Sequence, residues 1–489
     1  MANPNGKKLL KEVLVYGLGT FGSKLIVFLL LPLYTHTLSK EEFGSIELLQ
    51  TILAVAVPVI GLQISDALYR FLLESENNEQ EKTRYISTGF AIVAASSLAG
   101  VLVYLLWAGT AGRVDWLQHR EAWILLLVFT ALMSAVGKQI TRGLGLTQTF
   151  VASDMVTTAG TAAGAVYFLA VLDLGVDGFL YSLFLSHMAA LVLLLWKGGW
   201  WRHARVSEIS LPHAKRLLAY ALPLLPNLVS WWIIQAVDRY FISAYEGYGE
   251  VGLYAVGMKL ASIIALMTSV FHMAWQSDAV RMYHSEDKDR FFSAMFQMYC
   301  AMLSVGIAVL FVILKPLIGI MAAPEYASSW KYASLLLLSS MFAGISGFYG
   351  ITYVVTKQTK GAFYSSLAGA GVSITLNLLL IPAVGTIGAA IANMAAFLLM
   401  WLIRVKHTRR YLKITMNYRS FLPAMLLLLV LCFSHAAPLN ELYAAGLRIL
   451  LLAGVLMLYR SQLLRLVRLI SSYGRKRREK GENDAYEKP

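Results

Sequence analysis

Three basic residues lie inside apolar stretches that are long enough to cross a membrane. Lys24 lies about eleven residues into the first stretch, Lys259 about eight into the eighth and Arg448 about six into the fourteenth. A charge at the bilayer centre costs at least about 2.5–3.5 kcal/mol, and the sequence predicts no acidic residue at the same depth. We therefore expect a hydrated mid-membrane cavity that attracts an anion, most naturally a phosphate. The alternative is that Lys24 and Lys259 extend to the membrane surface or pair with distant acids.

The intramembrane acidic residues lie towards the ends of their stretches. Asp154 is about five residues from the inner end of the fifth stretch, and Asp238 is near the outer end of the seventh. Asp66 and Glu47 are close to the ends of the second. Asp238 and Arg239 point about 100° apart on a helix, so we do not expect them simply to neutralise each other. Arg239 could guide a phosphate at the outer gate or anchor the end of its helix.

Two prolines interrupt the seventh apolar stretch. Pro223 and Pro226, with Asn227 beside them, remove backbone hydrogen bonds and kink a helix. Such breaks occur in membranes where protein or a watery cavity satisfies the backbone. The pattern predicts either a hinge or a static kink, and the sequence favours neither.

The sequence contains two nucleotide-binding motifs in incomplete form only. The glycines of Gly17–Gly22 resemble a dinucleotide fingerprint, but an apolar membrane stretch follows them instead of a βαβ unit. Gly137–Gln139 lacks the Ser or Thr of an ATP-binding P-loop. Cys300 and Cys432 lie inside apolar stretches and suggest neither a disulfide nor a metal site. We expect a non-enzyme without a resident cofactor.

Composition identifies the elements that must hold these residues. Apolar residues make up 58% and charged residues 14% of the 489, against about 25% charged in soluble proteins. Charge-poor windows predict an all-α polytopic membrane protein with fourteen transmembrane helices. The predicted helices are 13–35, 44–66, 85–109, 121–141, 149–171, 178–196, 217–241, 251–276, 291–314, 332–355, 362–382, 386–403, 420–437 and 442–459.

The distribution of basic residues predicts the orientation of these helices. With the N-terminus inside, 32 of the 42 Lys and Arg residues fall on inner segments and five on outer loops. Cytoplasmic loops collect Lys and Arg, so both termini are predicted to be cytoplasmic. The net charge of +14 is thus mostly a topology signal. A nucleic-acid partner would need a basic folded surface, which these short inner segments do not provide.

Short motifs recur at a nearly constant offset and indicate an internal repeat. The matched pairs are Glu42–Gly44 with Glu250–Gly252 at 208 residues, Thr147–Thr149 with Lys357–Thr359 at 210, and Gly175–Gly178 with Gly385–Gly388 at 210. The offset spans six helices, so both halves share one orientation, with a central site between them. We predict a six-helix bundle (1–196), a cytoplasmic interfacial linker (197–216), a second six-helix bundle (217–407), two extra helices (408–461) and a basic cytoplasmic tail (462–489). Arg448 lies outside the repeated halves, so a structural role is equally expected for it.

The sequence resembles the bacterial lipid-linked oligosaccharide or polysaccharide flippases of the multidrug/oligosaccharidyl-lipid/polysaccharide (MOP) exporter superfamily. In the first half the resemblance rests on Gly17–Lys24, continuing through Leu33–Thr35, and on Leu38–Gly44. In the second half it rests on Asp238–Ile242 and on Val251–Tyr254 with Lys259. It covers nearly the whole chain and points to the family but not to the sugar.

The resemblance implies a V-shaped pair of six-helix bundles in the bacterial cytoplasmic membrane. Such a protein would move an undecaprenyl-(pyro)phosphate-linked glycan, for example an O-antigen unit, from the inner to the outer leaflet by alternating access. The last two helices would support the lipid tail. A polysaccharide polymerase or chain-length machinery would be a partner, besides the lipid bilayer. Two rivals are a drug/cation antiporter of the same superfamily and a non-transporting scaffold for polysaccharide assembly.

The resemblance also suggests roles for the charged residues. Lys24, Lys259 and Arg239, with Arg448 as a weaker candidate, would bind the diphosphate or an anionic sugar. The candidates for binding a coupling ion, H⁺ or Na⁺, are Asp154, Asp238 and Asp66.

Overall fold

A computed structural model describes residues 22, 25–75, 77–111, 120–356, 358–438 and 440–464. Within these residues the chain is helical and contains no strand. The α-helices are α1 (Leu31–Thr37), α2 (Lys40–Ile60), α3 (Ile64–Glu74), α4 (Glu79–Ala111), α5 (Glu121–Gly143), α6 (Thr147–Ala165), α7 (Gly175–Gly198), α8 (Leu211–Ala221), α9 (Leu225–Tyr245), α10 (Tyr248–Met282), α11 (Lys288–Met321), α12 (Trp330–Val355), α13 (Thr359–Val384), α14 (Thr386–Thr408), α15 (Tyr418–Ser434) and α16 (Glu441–Leu458).

Twelve helical segments of the described chain are long and apolar enough to cross a membrane, as expected for a multi-pass membrane protein. They correspond to the predicted helices two to twelve and fourteen. The thirteenth predicted helix is the shorter α15, of 17 residues. Most of the first predicted helix lies outside the described residues, which include the shorter apolar helix Leu25–Thr37. The count of fourteen spans and the two-bundle arrangement therefore stay predictions.

The second predicted helix, 44–66, is two helices in the structure. α2 begins four residues earlier than predicted because Ser39 and Glu42 form a capping box that satisfies its first backbone N–H groups. α2 ends at Ile60, and the backbone of Leu62 and Gln63 has positive φ angles of 49° and 55°. This left-handed turn separates α2 from α3 and redirects the chain.

The prolines of the seventh predicted helix mark a break in the structure. α8 ends at Ala221, a 3₁₀ turn covers Leu222–Leu224, and α9 begins at Leu225. Pro223 lies in the 3₁₀ turn and Pro226 in the first turn of α9, where a proline costs no backbone hydrogen bond. The predicted helix break is present, whereas hinge motion around Asn227 stays a prediction.

The described chain forms two compact units. The first unit comprises the described residues up to Lys259, together with Gly319–Ser328 and Ser366–Ala392. Its main apolar core lies around α3, whose buried residues Leu68 and Leu72 pack with apolar side chains of α4 and α5. This core holds α3, α4 and α5 together.

The second unit comprises the remaining segments, Leu260–Ile318, Ser329–Ser365 and the described residues from Asn393 onwards. Its core includes an aromatic cluster around Phe348, whose ring stacks on Trp275 at a centroid distance of 4.6 Å and an interplanar angle of 8°. The predicted division into bundles and linker follows different boundaries and stays a prediction.

The linker between α7 and α8 is attached to α4 by hydrogen bonds. Ser87 Oγ donates to the carbonyl oxygen of His203 (3.0 Å) and accepts from the backbone N–H of Arg205 (2.9 Å). Thr88 Oγ1 accepts from the backbone N–H of Ser210 (3.1 Å). Two hydroxyls of one helix therefore satisfy three backbone groups of the linker and hold it in place.

Candidate functional site

Lys259 of α10 forms an ion pair with Glu47 of α2 inside the first unit. Lys259 Nζ lies 2.9 Å from Glu47 Oε1, and the two side chains are 19% and 6% exposed. The prediction that no acid lies near the depth of Lys259 is wrong, because α2 begins at Lys40. Glu47 is thus about 10 Å along α2 from its first residue, at 1.5 Å per residue. The buried lysine already has an anionic partner.

Two glycines allow α2 and α10 to cross closely beside this pair. A Cβ atom at Gly44 would overlap the carbonyl oxygen of Tyr248, and one at Gly252 would overlap the carbonyl oxygen of Lys40. Any larger residue would therefore push the two backbones apart. Gly44 and Gly252 are also the repeat-related glycines of the sequence, so equivalent helices meet at equivalent positions.

Asp238 and Arg239 form a second buried polar group on α9. Tyr254 Oη of α10 donates to Asp238 Oδ2 (2.6 Å), and the backbone N–H of Arg239 donates to Oδ1 (2.9 Å). Arg239 Nη1 lies 3.5 Å from the same oxygen and donates to the carbonyl oxygen of Gln235 (2.9 Å). The prediction that these neighbours do not neutralise each other is wrong, because the long arginine side chain folds back along α9. This group joins α9 to α10.

Asp154 of α6 pairs with Lys138 of α5. Lys138 Nζ lies 2.7 Å from Asp154 Oδ1 and donates to Thr157 Oγ1 at 3.3 Å. The Asp154 side chain is 39% exposed and that of Lys138 17%. One turn further along α6, Thr161 Oγ1 shares a hydrogen bond of 2.8 Å with Ser186 Oγ of α7. Asp154 thus belongs to a polar strip between three helices.

The other predicted site residues have local partners. Gln63 Nε2 donates to Asp66 Oδ2 (2.6 Å) in the first turn of α3. Arg448 Nε donates to Ser434 Oγ (3.3 Å), and its Nη1 lies 3.7 Å from Glu441 Oε2. Arg448 is buried in the second unit, so these contacts favour the structural role that the sequence left open.

Lys24 lies outside the described residues, so the structure does not test its predicted role.

Glu47 and Lys138 were missed as partners because their pairing depends on helix packing. The repeat carried a signal for Glu47: it follows Gly44 by three residues, and Lys259 follows the equivalent Gly252 by seven. Both residues therefore lie within about two turns of the predicted repeat-related position.

The fold of the chain is similar to that of two solved membrane transport proteins. The chain is similar in fold to a structure described as lipid II flippase MurJ in an inward closed conformation, with a TM-score of 0.67 and 15% identity over 92% of this chain and all of that one. It is also similar to the MATE multidrug transporter DinF-BH in complex with R6G, with a TM-score of 0.60 and 15% identity over 86% of this chain and 97% of that one. At these identities the likeness concerns the fold.

The sequence identifies the family within this class. The model of the family described as "Polysaccharide biosynthesis protein" matches residues 9–275, which is more than half of the chain. The protein belongs to this polysaccharide biosynthesis family, as the resemblance predicted.

Two curated relatives match more than half of the chain. A product of the Lsg locus of Haemophilus influenzae is 22% identical over 55% of this chain. The succinoglycan biosynthesis transport protein ExoT of Rhizobium meliloti is 23% identical over 66% of it. The chain spans slightly less than two thirds of the length of each relative, 65% and 63%.

Proposed function

We propose that the protein flips a polyprenyl-(pyro)phosphate-linked oligosaccharide from the inner to the outer leaflet of the bacterial cytoplasmic membrane. The product would serve cell-surface polysaccharide synthesis, with both termini of the protein in the cytoplasm. Family membership and the MurJ-like fold support a carrier of this class. The Glu47–Lys259 pair is the observation that carries the proposal.

The pair suits a site at which a phosphate replaces a carboxylate. A lysine in a weakly polar surrounding stays charged only beside an anion, and in this structure Glu47 supplies that anion. The Lys259 side chain is not fully buried (19% exposed), so a phosphate that reaches it can compete with Glu47. Phosphate binds a lysine as a strong point-charge partner. Substrate binding would then release the carboxylate.

The position of the pair connects this exchange to the shape of the protein. The close Gly44–Gly252 crossing and the ion pair hold the N-terminal halves of α2 and α10 together, at the end that the charge pattern predicts to be outer. Separation of α2 from α10 would break both contacts together. We therefore propose that substrate at Lys259 weakens the closure on the outer side, as alternating access requires.

Coupling to an ion gradient is the second part of the proposal. Asp154 is the strongest candidate because it is partly exposed and lies on a polar strip. Asp238 is buried and held by Tyr254, and Asp66 is held by Gln63, so both are weaker candidates. H⁺ or Na⁺ would be the coupling ion, and a polysaccharide polymerase or chain-length protein would receive the product.

Reconstitution into liposomes with a fluorescently labelled, undecaprenyl-diphosphate-linked oligosaccharide tests the proposal. We expect wild-type protein to move the label across the bilayer and Lys259→Ala to lose at least about tenfold in rate, since one charge-assisted contact is worth about 1.5–3 kcal/mol. Lys315→Ala is the matched control: Lys315 pairs with Glu441 at 2.7 Å in the second unit. Normal translocation by Lys259→Ala would refute the phosphate role of this residue.

The same vesicles separate the rival functions. A drug/cation antiporter would move rhodamine 6G against an ion gradient and ignore the lipid-linked glycan. A scaffold would move neither compound, although the protein would be present and folded in the liposomes.

A further inference from the structure

Three arginines at the predicted cytoplasmic end of the first unit contact tyrosine side chains. The Cζ of Arg70 lies 4.6 Å from the ring centroid of Tyr220, and that of Arg142 lies 4.3 Å from the ring centroid of Tyr69. Arg216 Nη1 donates to Tyr85 Oη at 3.4 Å. These six residues, Arg70, Arg142, Arg216, Tyr69, Tyr85 and Tyr220, are called the arginine–tyrosine patch.

Phe71 lies between two tyrosines of the patch and connects them. The ring of Phe71 stacks on Tyr85 at 5.1 Å and meets Tyr220 edge-on at 6.0 Å. Arg70 and Arg216 therefore stand at the two ends of one connected row of aromatic rings. Both arginines are exposed to the surroundings.

Stacking prepares an arginine to bind a phosphate. A guanidinium held over an aromatic face keeps its plane fixed, while its N–H donors remain in that plane. Glu74 contacts Arg70 Nε at 2.9 Å, but both side chains are about half exposed (51% and 53%), so this pair is weak and replaceable. Hydrogen bonds that Arg70 donates to Glu74 and Tyr220 raise the pKa of Arg70 above its usual value, so Arg70 stays charged.

The internal repeat indicates that the fold does not require the patch. At the repeat offset of 208, the position equivalent to Arg70 holds Asp278, which is exposed. At the offset of 210, the position equivalent to Arg142 holds Thr352, which is buried. The second half thus builds equivalent helices without arginines at these positions.

We infer that the arginine–tyrosine patch is a first binding site for the diphosphate of the lipid-linked glycan, occupied on the cytoplasmic side before the substrate reaches Lys259. This inference rests on the proposed function and adds a second phosphate site to it. A forked guanidinium suits a diphosphate, which offers acceptor oxygens on two neighbouring phosphorus atoms. The rigid aromatic row limits the conformational entropy lost on binding.

Binding of geranyl diphosphate to the detergent-purified full-length protein tests the site. We expect Arg70→Gln and Arg216→Gln each to weaken the Kd about tenfold, as loss of one charge-assisted contact predicts. Arg410→Gln, which removes an exposed arginine of the second unit, should leave the Kd unchanged. Equal weakening by all three variants would show a general charge effect and overturn the inference.

Two conservative variants test the geometry of recognition. Arg70→Lys keeps the charge but loses the planar fork and should also weaken binding, whereas a wild-type Kd would contradict bidentate recognition. Tyr220→Phe keeps the ring and should bind normally, whereas Tyr220→Leu should bind more weakly. Unchanged thermal melting of these variants establishes that they fold.

Competition by phosphatidylglycerol in mixed micelles identifies the source of the phosphate. We expect a large excess of this lipid to be needed to displace geranyl diphosphate. Displacement at comparable concentrations would make the patch a site for bilayer lipid and overturn the inference. If wild-type protein translocates the glycan while the patch variants bind the probe normally, the inference alone fails. If the wild type translocates no polyprenyl-linked glycan, the proposed function fails.

Discussion

Equivalent positions of the two repeated halves have opposite chemistry. In the first half, Lys138 of α5 reaches Asp154 at 2.7 Å and Thr157 at 3.3 Å. At the repeat offset of 210, α12 carries Phe348, which is fully buried and stacked on Trp275. Positions related by the predicted repeat therefore hold a partly exposed ion pair in one half of the chain and a packed aromatic cluster in the other.

The difference shows which half keeps an ionisable side chain partly accessible. The Asp154 side chain is 39% exposed, whereas Phe348 is fully buried. A large aromatic side chain contributes several kcal/mol through burial and ring contacts. We therefore regard the α12 region as structural support and the α5–α6 strip as the place where ion binding would act.

The largest effect on stability is expected from a substitution in the aromatic cluster around Phe348. Phe348→Ala should lower the free energy of unfolding by about 3–5 kcal/mol, because it removes a fully buried ring and leaves a cavity. Thermal melting of the detergent-purified protein measures this loss. Phe348→Leu is the control and should lower stability less, since it keeps most of the apolar volume. A melting temperature unchanged by Phe348→Ala would contradict the structural role of the cluster.

An intermediate effect on stability, about 1–3 kcal/mol, is expected from Asp154→Asn, because the substitution leaves the Lys138 ammonium without its ionic partner. The substitution leaves the fold intact but removes the carboxylate that would bind the coupling ion. Glycan translocation should then lose its dependence on the H⁺ or Na⁺ gradient in liposomes. Asp177→Asn is the matched control, since Asp177 pairs with Arg120 at 2.6 Å at the start of α7. Gradient-dependent transport by Asp154→Asn would place coupling elsewhere.

The smallest effect is expected from the neighbouring hydroxyl pair. Ser186→Ala removes the 2.8 Å hydrogen bond with Thr161, and such bonds between membrane helices average about 0.6 kcal/mol. A double-mutant cycle with Thr161→Val measures this coupling by thermal melting. A coupling energy as large as the Phe348→Ala effect would show that the polar strip is as structural as the aromatic cluster.

The positions of helices follow from the sequence better than their ends and partners. Apolar windows indicate twelve of the described helical segments because burial in lipid demands such stretches. The start of α2 depends on the side-chain cap of Ser39, which a hydropathy window ignores. The break after Ile60 depends on the left-handed backbone of Leu62 and Gln63. Neither residue is a glycine, so the sequence does not indicate this conformation.

The candidate site could be predicted in its residue types but not in its pairings. Lys259 stood out because of its cost in the membrane, yet its partner Glu47 lies 212 positions away in the numbering. The contact of the Arg239 side chain with Asp238 depends on the rotamer of Arg239, which helix geometry alone does not determine. The repeat-related glycines were the sequence signal that could have joined α2 to α10.

The attachment of the linker to α4 has a consequence for biosynthesis. Its hydrogen-bonding partners Ser87 and Thr88 precede the linker in the chain, and polypeptides fold from the N-terminus as the ribosome delivers them. Every group needed to dock the linker is therefore already synthesised when residue 210 leaves the ribosome. The linker that precedes the predicted second repeat can therefore bind to α4 before the rest of that repeat has been translated.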